Sequence, residues 1–380
     1  MNAICEQNCA YFGSECIDFA SLRLETAKRM ADHDLGSQRT VFVVDSMREA
    51  LGCVALGLSR ELDFGLIERN RISPEVRDRF AKNKTRLVNA VDGSTLASAN
   101  ADVIVPGRVT VLTSGTTGLL KLIPHTAATL NTFDRVQNLP ENTWFLPYQI
   151  GSYAWYQMVT LAMFKQGQNL VPGDFTDLAS SFEEALGRGV VTAISSTPTF
   201  WRYAFMSIDE TLLASAPLRN VSLGGEIVDQ PILDRLSMLY PQARIRHIYA
   251  SSEAGAAIVV SDGKAGFDAK LADRIDGTIG IKVEDNCLYV RSPYANRTDG
   301  DGWIDTGDLV ERRGERFYFL GRAENTVINV GGQKAFPPDI EAHLMTHPEV
   351  LWARVTARKA PLMGALPVAE VVLKRPTDQN

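Results

Sequence analysis

Between Val41 and Tyr249 the chain alternates short runs of β-branched and apolar residues with longer amphipathic stretches, and this alternation restricts the fold more than any other feature. Short continuous apolar runs suit strands buried on both faces, and the stretches between them have the spacing of helices laid on a sheet. VFVVD (41–45), VTVLT (109–113), VVTAISS (190–196) and RIRHIY (244–249) read as strands. SMREALGCVALGLS (46–59), TAATLNTFDRVQ (126–137), SYAWYQMVTLAMFKQ (152–166) and DQPILDRLSMLY (229–240) read as helices, the last opening with Asp229 as its cap and Pro231 in its first turn. Repeated strand–helix units of this kind imply an α/β fold of stacked, largely parallel sheets.

After Gly255 the pattern changes to short strands separated by Gly, Asp and Asn turns, GTIGIKVEDNCLYVRS and then DGWIDTGDLVERRGERFYFLGR, which implies a small barrel or antiparallel sheet. A domain boundary is expected near Arg322. Beyond it come TVINV (326–330), a glycine pair, a helix opened by Pro337 and Pro338, and the strands WARVTA and PVAEVVLK. The reading is a large domain over 1–322 followed by a small, partial α+β domain over 323–380.

A length of 380 residues, 45% of them hydrophobic and 22% charged, suits one large globular domain with an appendage. The net charge of −6 offers no field for a polyanionic backbone, so nucleic acid is not an expected partner. No stretch reaches the roughly 18 uncharged apolar residues of a membrane helix, and the start lacks a cationic region followed by an apolar one. The expected location is therefore the cytoplasm. The five cysteines contain no CxxC pair with matching histidines, so Cys5, Cys9, Cys16, Cys53 and Cys287 are expected to be reduced structural thiols.

The chemistry concentrates in TSGTTGLLK, residues 113–121, expected to follow a strand and precede a helix. Gly115 and Gly118 let the backbone approach a phosphate, Thr113, Ser114, Thr116 and Thr117 add hydroxyl donors, and Lys121 adds a positive charge. It reads as a polyphosphate cradle but not a Walker loop, since no Gly-Lys-Ser/Thr follows. GxGxxG and GxSxG are absent, and Asp63-Phe64-Gly65, which spells a kinase motif, has no catalytic loop before it.

This loop resembles TSGTTGxPK, the signature of the adenylate-forming superfamily of acyl-CoA synthetases, aryl-acid ligases and adenylation domains, with Leu120 in place of the proline. The resemblance continues in order through LGGE (223–226), YASSE (249–253), GWIDTGDL (302–309) and GRAENTVINVGGQKAFPPDIE (321–341). It implies a nucleotide site built from the loop, Gly225, Glu226, Tyr249 as a platform for adenine, Ser252 near the α-phosphate, Asp308 accepting both ribose hydroxyls, and Arg322 on ribose or phosphate. It further implies that Glu253 holds Mg²⁺, with Lys121, Ser252, Glu253 and Arg322 acting in catalysis. Gly331, Gly332 and Lys334 would form a thiol-tunnel loop turning about Glu324, while Tyr148, Tyr153 and Trp155 would line the acyl pocket, unless these aromatics only fill the core.

The activity this resemblance implies has two steps, because a carboxylate is a poor electrophile. A small carboxylic acid attacks the α-phosphorus of ATP and releases pyrophosphate; a thiol, from CoA or the phosphopantetheine of a carrier protein, then displaces AMP. Two departures accompany the match: the loop begins at Thr113, implying an abridged N-terminal lobe, and the family's PxxxxGK segment with its adenylating lysine has no counterpart, Lys359 and Lys374 being the only lysines after Lys334. These departures keep two alternatives in view, a protein that binds nucleotide or acyl-adenylate or performs one half-reaction, and a scaffold completed by a partner chain. Acid-dependent pyrophosphate release separates them from the full enzyme.

Overall fold

The computed structural model describes residues 4–97, 103–114, 120–134, 136–272, 279–295, 301–322, 328–330, 333–360 and 364–373. Two large sheets dominate. In the first, five strands run parallel in the order Arg244–Ser251, Asn220–Gly224, Ala193–Ser196, Asn142–Leu146 and Gln168–Pro172, continued by Cys9–Phe12 and edged by the antiparallel strands Gly255–Val260 and Glu15–Asp18. The second carries Arg86–Asn89, Thr40–Val44, Phe64–Glu68 and Arg108–Ser114 in parallel, with Thr95–Ala97 and Leu120–Thr126 antiparallel at its edges.

Helices between these sheets bury almost every side chain, because they meet apolar surface on opposite sides. Ala50 through Leu58 are all buried in the helix Met47–Ser59, whose Ser46 accepts a capping bond from Glu49 N. It packs so closely on the helix Phe19–Arg29 that a Cβ at Gly52 would fall on Thr26 Oγ1. The helix Tyr153–Phe164, capped by Ser152, shares the same core with Trp144, Leu146, Phe42, Phe64 and Val109. On the far face of the first sheet, Phe145, Ile194, Val221 and Leu223 meet a second core carried by four further helices, among them Pro198–Ser207 and Gln230–Leu239.

The texture change after Gly255 corresponds to a five-stranded antiparallel sheet of Phe267–Asp268, Arg316–Arg322, Ile304–Arg313, Cys287–Arg291 and Gly280–Glu284. A separate four-stranded sheet with the helix Pro337–Met345 follows from Ile328. Arg313 reaches Asp339 of that helix across 3.1 Å.

Three expectations are corrected. The phosphate loop does not lead from a strand into a helix: Leu120–Thr126 pairs antiparallel with Arg108–Ser114 along its whole length, so the loop joins the arms of a β-hairpin. The helix foreseen over 126–137 spans only Ala127–Leu130 behind its Thr126 cap, and buried Asn131 follows it. Thr and Asn side chains compete for backbone hydrogen bonds, and a run rich in them holds one helical turn. The expectation of five reduced thiols fails at Cys9 and Cys16, which are disulfide-bonded across the hairpin Cys9–Phe12/Glu15–Asp18 with a Cα–Cα distance of 6.1 Å. Cys5, Cys53 and Cys287 are free.

Asp63 of the kinase-like tripeptide is a buried structural anion. Its carboxylate accepts from Arg108 Nε at 2.8 Å and Val105 N at 3.1 Å, and Arg39 Nε lies 3.6 Å away. Paired with Arg108 and Arg39 and bonded by a backbone N–H, this buried carboxylate is committed to holding the fold.

Candidate nucleotide site

The C-terminal ends of the parallel strands of the first sheet open onto a cavity of about 390 Å³, the usual position for a ligand in an α/β fold. Gly225 and Glu226 follow one strand, Ile248 through Ser252 end the next, and Asp308, Phe319, Gly321 and Arg322 close it from the five-stranded sheet. Gly225 turns the chain there with φ of +79°, a conformation a side chain would strain. The resemblance-assigned residues Gly225, Glu226, Tyr249, Ser252, Asp308 and Arg322 are thus brought together around one cavity.

Tyr249 stacks on Phe319 at 4.9 Å between centroids and 16° from parallel, while its hydroxyl donates to Asp308 Oδ2 at 2.5 Å. Arg322 Nε stands 3.5 Å from the other carboxylate oxygen, because Asp308 and Arg322 face each other across paired strands. Burial raises the Asp308 pKa above the usual carboxylate value, against the lowering by Tyr249 and Arg322. Burial likewise pushes the Tyr249 phenol up, with the Asp308 charge adding to it. The result is a poorly hydrated carboxylate with acceptor capacity to spare, suited to a pair of hydroxyls.

Ser252 and Glu253 sit in the tight turn between the strands Arg244–Ser251 and Gly255–Val260, held by a bond from Ala254 N to Ser251 Oγ at 3.0 Å. His125, on the second arm of the phosphate hairpin, ties that turn to the loop: its Nε2–H donates to the Ser252 carbonyl at 2.8 Å and its Nδ1 accepts from the Thr129 hydroxyl at 3.0 Å. Neither His125 nor Phe319 is given a part in the site by the sequence motifs. The alternation in RFYFLGR placed Phe319 on the same face as Phe317, but not beneath Tyr249.

Burial lowers the His125 pKa to about 4, outweighing the raising effects of the Ser252 bond and the Glu253 charge. Between pH 6.5 and 4 the unfolded chain binds a proton here that the folded chain refuses, so stability falls as pH falls through that window. The expected loss is about 2 kcal/mol by pH 5. Denaturant unfolding at pH 7 and 5 checks it, since His125→Gln should lose about that much less than the parent; equal losses would place the acid sensitivity elsewhere.

The remaining assignments fare differently. Thr113 and Lys121 face each other in the hairpin arms, and Lys121 is solvent-exposed. Ser114 ends the first arm. Gly115, Thr116, Thr117, Gly118, Glu324, Gly331 and Gly332 lie outside the described residues, while Lys334 falls in the strand Gln333–Ala335. Glu226 accepts from Thr199 N at 3.0 Å and from its hydroxyl at 2.7 Å, which fixes the start of the helix Pro198–Ser207. Among the aromatics, Trp155 is fully buried with its indole N–H on Met47 Sδ, and Tyr153 is buried against His125 with its hydroxyl on the Thr129 carbonyl. Both are core residues, because a helix between two sheets presents no free face. Tyr148, half-buried, bonds Ser195 Oγ at 3.1 Å and feels the charge of Glu226.

Residues 106–312 match the AMP-binding enzyme family, a span covering more than half of the chain. The chain belongs to that family. Among curated proteins this AMP-binding family member is 27% identical over 216 residues to 2-succinylbenzoate–CoA ligase of Bacillus subtilis (strain 168), matching 50% of the chain and 43% of the relative. It is 27% identical over 212 residues to 4-coumarate–CoA ligase 1 of Glycine max, covering 48% and 69%. The chain spans about half the length of the curated relatives it matches. Its fold is that of o-succinylbenzoate CoA synthetase from Bacillus subtilis in complex with an acyl-adenylate (TM-score 0.70, 18% identity, 98% of this chain and 87% of that one). ATP-bound MatB from Rhodopseudomonas palustris is similar to the same degree (TM-score 0.70, 15% identity, 96% and 85%).

Proposed function

We propose that this AMP-binding family member activates a small carboxylic acid as its adenylate, at the expense of ATP, and passes the acyl group to the thiol of CoA or of a carrier protein. The observation that carries the reading is the His125–Ser252 bond, which sets the phosphate hairpin on the edge of the cavity holding Tyr249, Asp308 and Arg322. One nucleotide then has its base beside Tyr249, its ribose on Asp308 and its phosphates under the loop. The curated relatives, two of them named as CoA ligases of aromatic acids, support the same chemistry.

In the first step a carboxylate oxygen bonds to the α-phosphorus and the bond to the bridging oxygen breaks, so the electron pair leaves with pyrophosphate. Little proton transfer is needed; the site must offset anion–anion repulsion, which falls to Lys121, the loop donors and Arg322. In the second step the thiol sulfur bonds to the acyl carbon, the bond from that carbon to the phosphate oxygen breaks, AMP leaves with the electron pair, and the thiol proton passes to solvent. Magnesium that keeps its waters and takes one protein carboxylate beside substrate phosphates needs no wider cluster, and Glu253 next to Ser252 fits that donor set. Bound there, the ion would neutralise phosphate charge. Among the described residues no group of three or more His, Cys, Asp or Glu forms another site.

The division into a nucleotide-binding body over 1–322 and a lid over 323–380, and a cytoplasmic location where ATP and CoA are available, belong to this proposal. Among the described residues no helix is long and apolar enough to cross a membrane. ATP–pyrophosphate exchange against a panel of aryl, short-chain and medium-chain acids tests the reading. Exchange that requires one acid and is lost in Lys121→Ala supports it; nucleotide binding without acid-dependent exchange would leave a binding protein.

A further inference from the structure

The helix Met47–Ser59 ends on a residue type that such an ending disfavours. Arg60 is its C-cap, Leu62 N donates to the Gly57 carbonyl at 2.9 Å and Glu61 N to the Leu58 carbonyl at 3.4 Å, the pair of bonds that closes a helix through one left-handed residue. Glycine ordinarily holds that position. Here it is Glu61, at φ of +52°, and its charge stands at the negative end of the helix dipole. The glutamate is unfavourable on both counts, and among the described residues it has no ion-pair partner.

Glu61 borders a cavity of about 520 Å³ at the foot of the hairpin Arg108–Ser114/Leu120–Thr126, together with Pro106, Asn131, Asp134, Phe164 and Tyr294. Among the described residues no Lys, Arg or His lines it. Asn131 is the second anomaly, since it is only 4% exposed and its Oδ1 has no hydrogen-bond partner. A buried amide oxygen without a donor is costly, and rotation about χ2 presents it to the cavity with no movement of the backbone. Asp134 adds a second carboxylate, with Lys165 Nζ 4.0 Å away. Acceptors and anions beside aromatic and proline surface match an organic ammonium: its N–H groups meet Glu61 and Asn131, and its carbon body lies along Phe164, Tyr294 and Pro106.

Two further contacts join this cavity to the nucleotide site. Thr126, which also lines it, caps the single turn Ala127–Leu130, and its N–H donates to Thr129 Oγ1 at 2.9 Å; Thr129 holds His125, and His125 holds the Ser252 carbonyl. Tyr294 packs so closely on Gly255 that a Cβ there would fall 2.5 Å from Tyr294 Cβ. Both routes end on the turn that carries Ser252 and Glu253. We propose that the cavity is an effector site for a small organic ammonium compound, whose binding steadies that turn and tightens nucleotide binding. The site does not depend on the acid-activation reading, because ammonium binding is measured on the protein alone.

Calorimetric titration of the full chain with hexylammonium chloride at fixed ionic strength tests this. Hexylammonium should bind about 10-fold or more tightly than hexan-1-ol, its neutral counterpart, and more tightly than Nα-acetyl-lysine methylamide, which carries the same ammonium on a peptide. Glu61→Gln should remove the preference over hexanol, and Asn131→Leu should weaken hexylammonium binding about 5-fold. Glu61→Gly should lose the preference as the glutamine variant does and yet melt above the parent, because glycine suits the left-handed position. Saturating hexylammonium should tighten AMP binding about 3-fold or more in the parent and leave Glu61→Gln unaffected. Equal affinity for hexylammonium and hexanol, tighter binding of the lysine derivative, or an AMP affinity unchanged at saturation overturns the inference, as does a Glu61→Gly variant that melts no higher than the parent. Acid-dependent pyrophosphate exchange is a separate measurement, so the acid-activation reading stands or falls independently of these results.

Discussion

Replacing Glu253 by glutamine is expected to lower acid-dependent pyrophosphate exchange by roughly 10²–10³-fold, the scale at which a single well-placed electrostatic group acts. The size of the effect follows from how firmly the turn is built. Ser251 Oγ accepts from Ala254 N, the Ser252 carbonyl accepts from His125, and Gly255 at φ of +77° packs against Tyr153 and Tyr294, so Glu253 is displayed from a fixed backbone. Its charge is felt by both His125 and Asp308, which places it between the hairpin and the Asp308 carboxylate. Glutamine keeps the shape and removes the charge. A magnesium titration separates the metal role from a scaffolding one: the variant should need more magnesium for half-maximal exchange, while AMP, which binds without the metal, should be held within about 2-fold of the parent affinity. A comparable loss of AMP affinity would mean that Glu253 shapes the nucleotide pocket, and the metal assignment would fall.

The parts of this architecture that were legible in the sequence are those decided locally. Helices capped by Ser46, Ser152 and Asp229 announce their own starts, and strands such as Thr40–Val44, buried on both faces, need only a continuous apolar run. The second arm of the phosphate hairpin was not legible, because Leu120–Thr126 becomes a strand through pairing with Arg108–Ser114 and its own sequence, LKLIPHT, has no strict alternation. For Tyr153 and Trp155 the sequence leaves pocket wall and core filling open, since aromatics at helical spacing look alike in both; their burial depends on the second sheet, packed on the other side of their helix. In the site, Tyr249, Ser252 and Asp308 could be singled out because each belongs to a motif read whole, and the three line one cavity. Phe319 and His125 could not, since what makes each of them matter is a partner far along the chain: Tyr249 and Ser252.

That same long-range pairing sets the second large effect. Asp308→Asn is expected to weaken ATP binding by about 100-fold, since two charge-assisted bonds to ribose hydroxyls become neutral ones and each such change is worth about 1–1.5 kcal/mol. Asparagine also presents one acceptor oxygen instead of two, and its amide N–H₂ would point a donor at Arg322 or at the Tyr249 hydroxyl, where the parent has attraction. Comparison with 2′-deoxy-ATP isolates the ribose contribution. The parent should bind it about 10-fold more weakly than ATP, whereas the asparagine variant, having already lost the strong acceptor, should distinguish the two by less than about 3-fold. Tyr249→Phe supplies the complementary control, because it keeps the ring on Phe319 and removes only the hydroxyl that aligns the carboxylate. It should cost about 1 kcal/mol in ATP binding while preserving the preference for the 2′-hydroxyl. If Asp308→Asn still discriminated against 2′-deoxy-ATP as strongly as the parent, the carboxylate would not be the ribose acceptor, and its bonds to Tyr249 and Arg322 would be structural only.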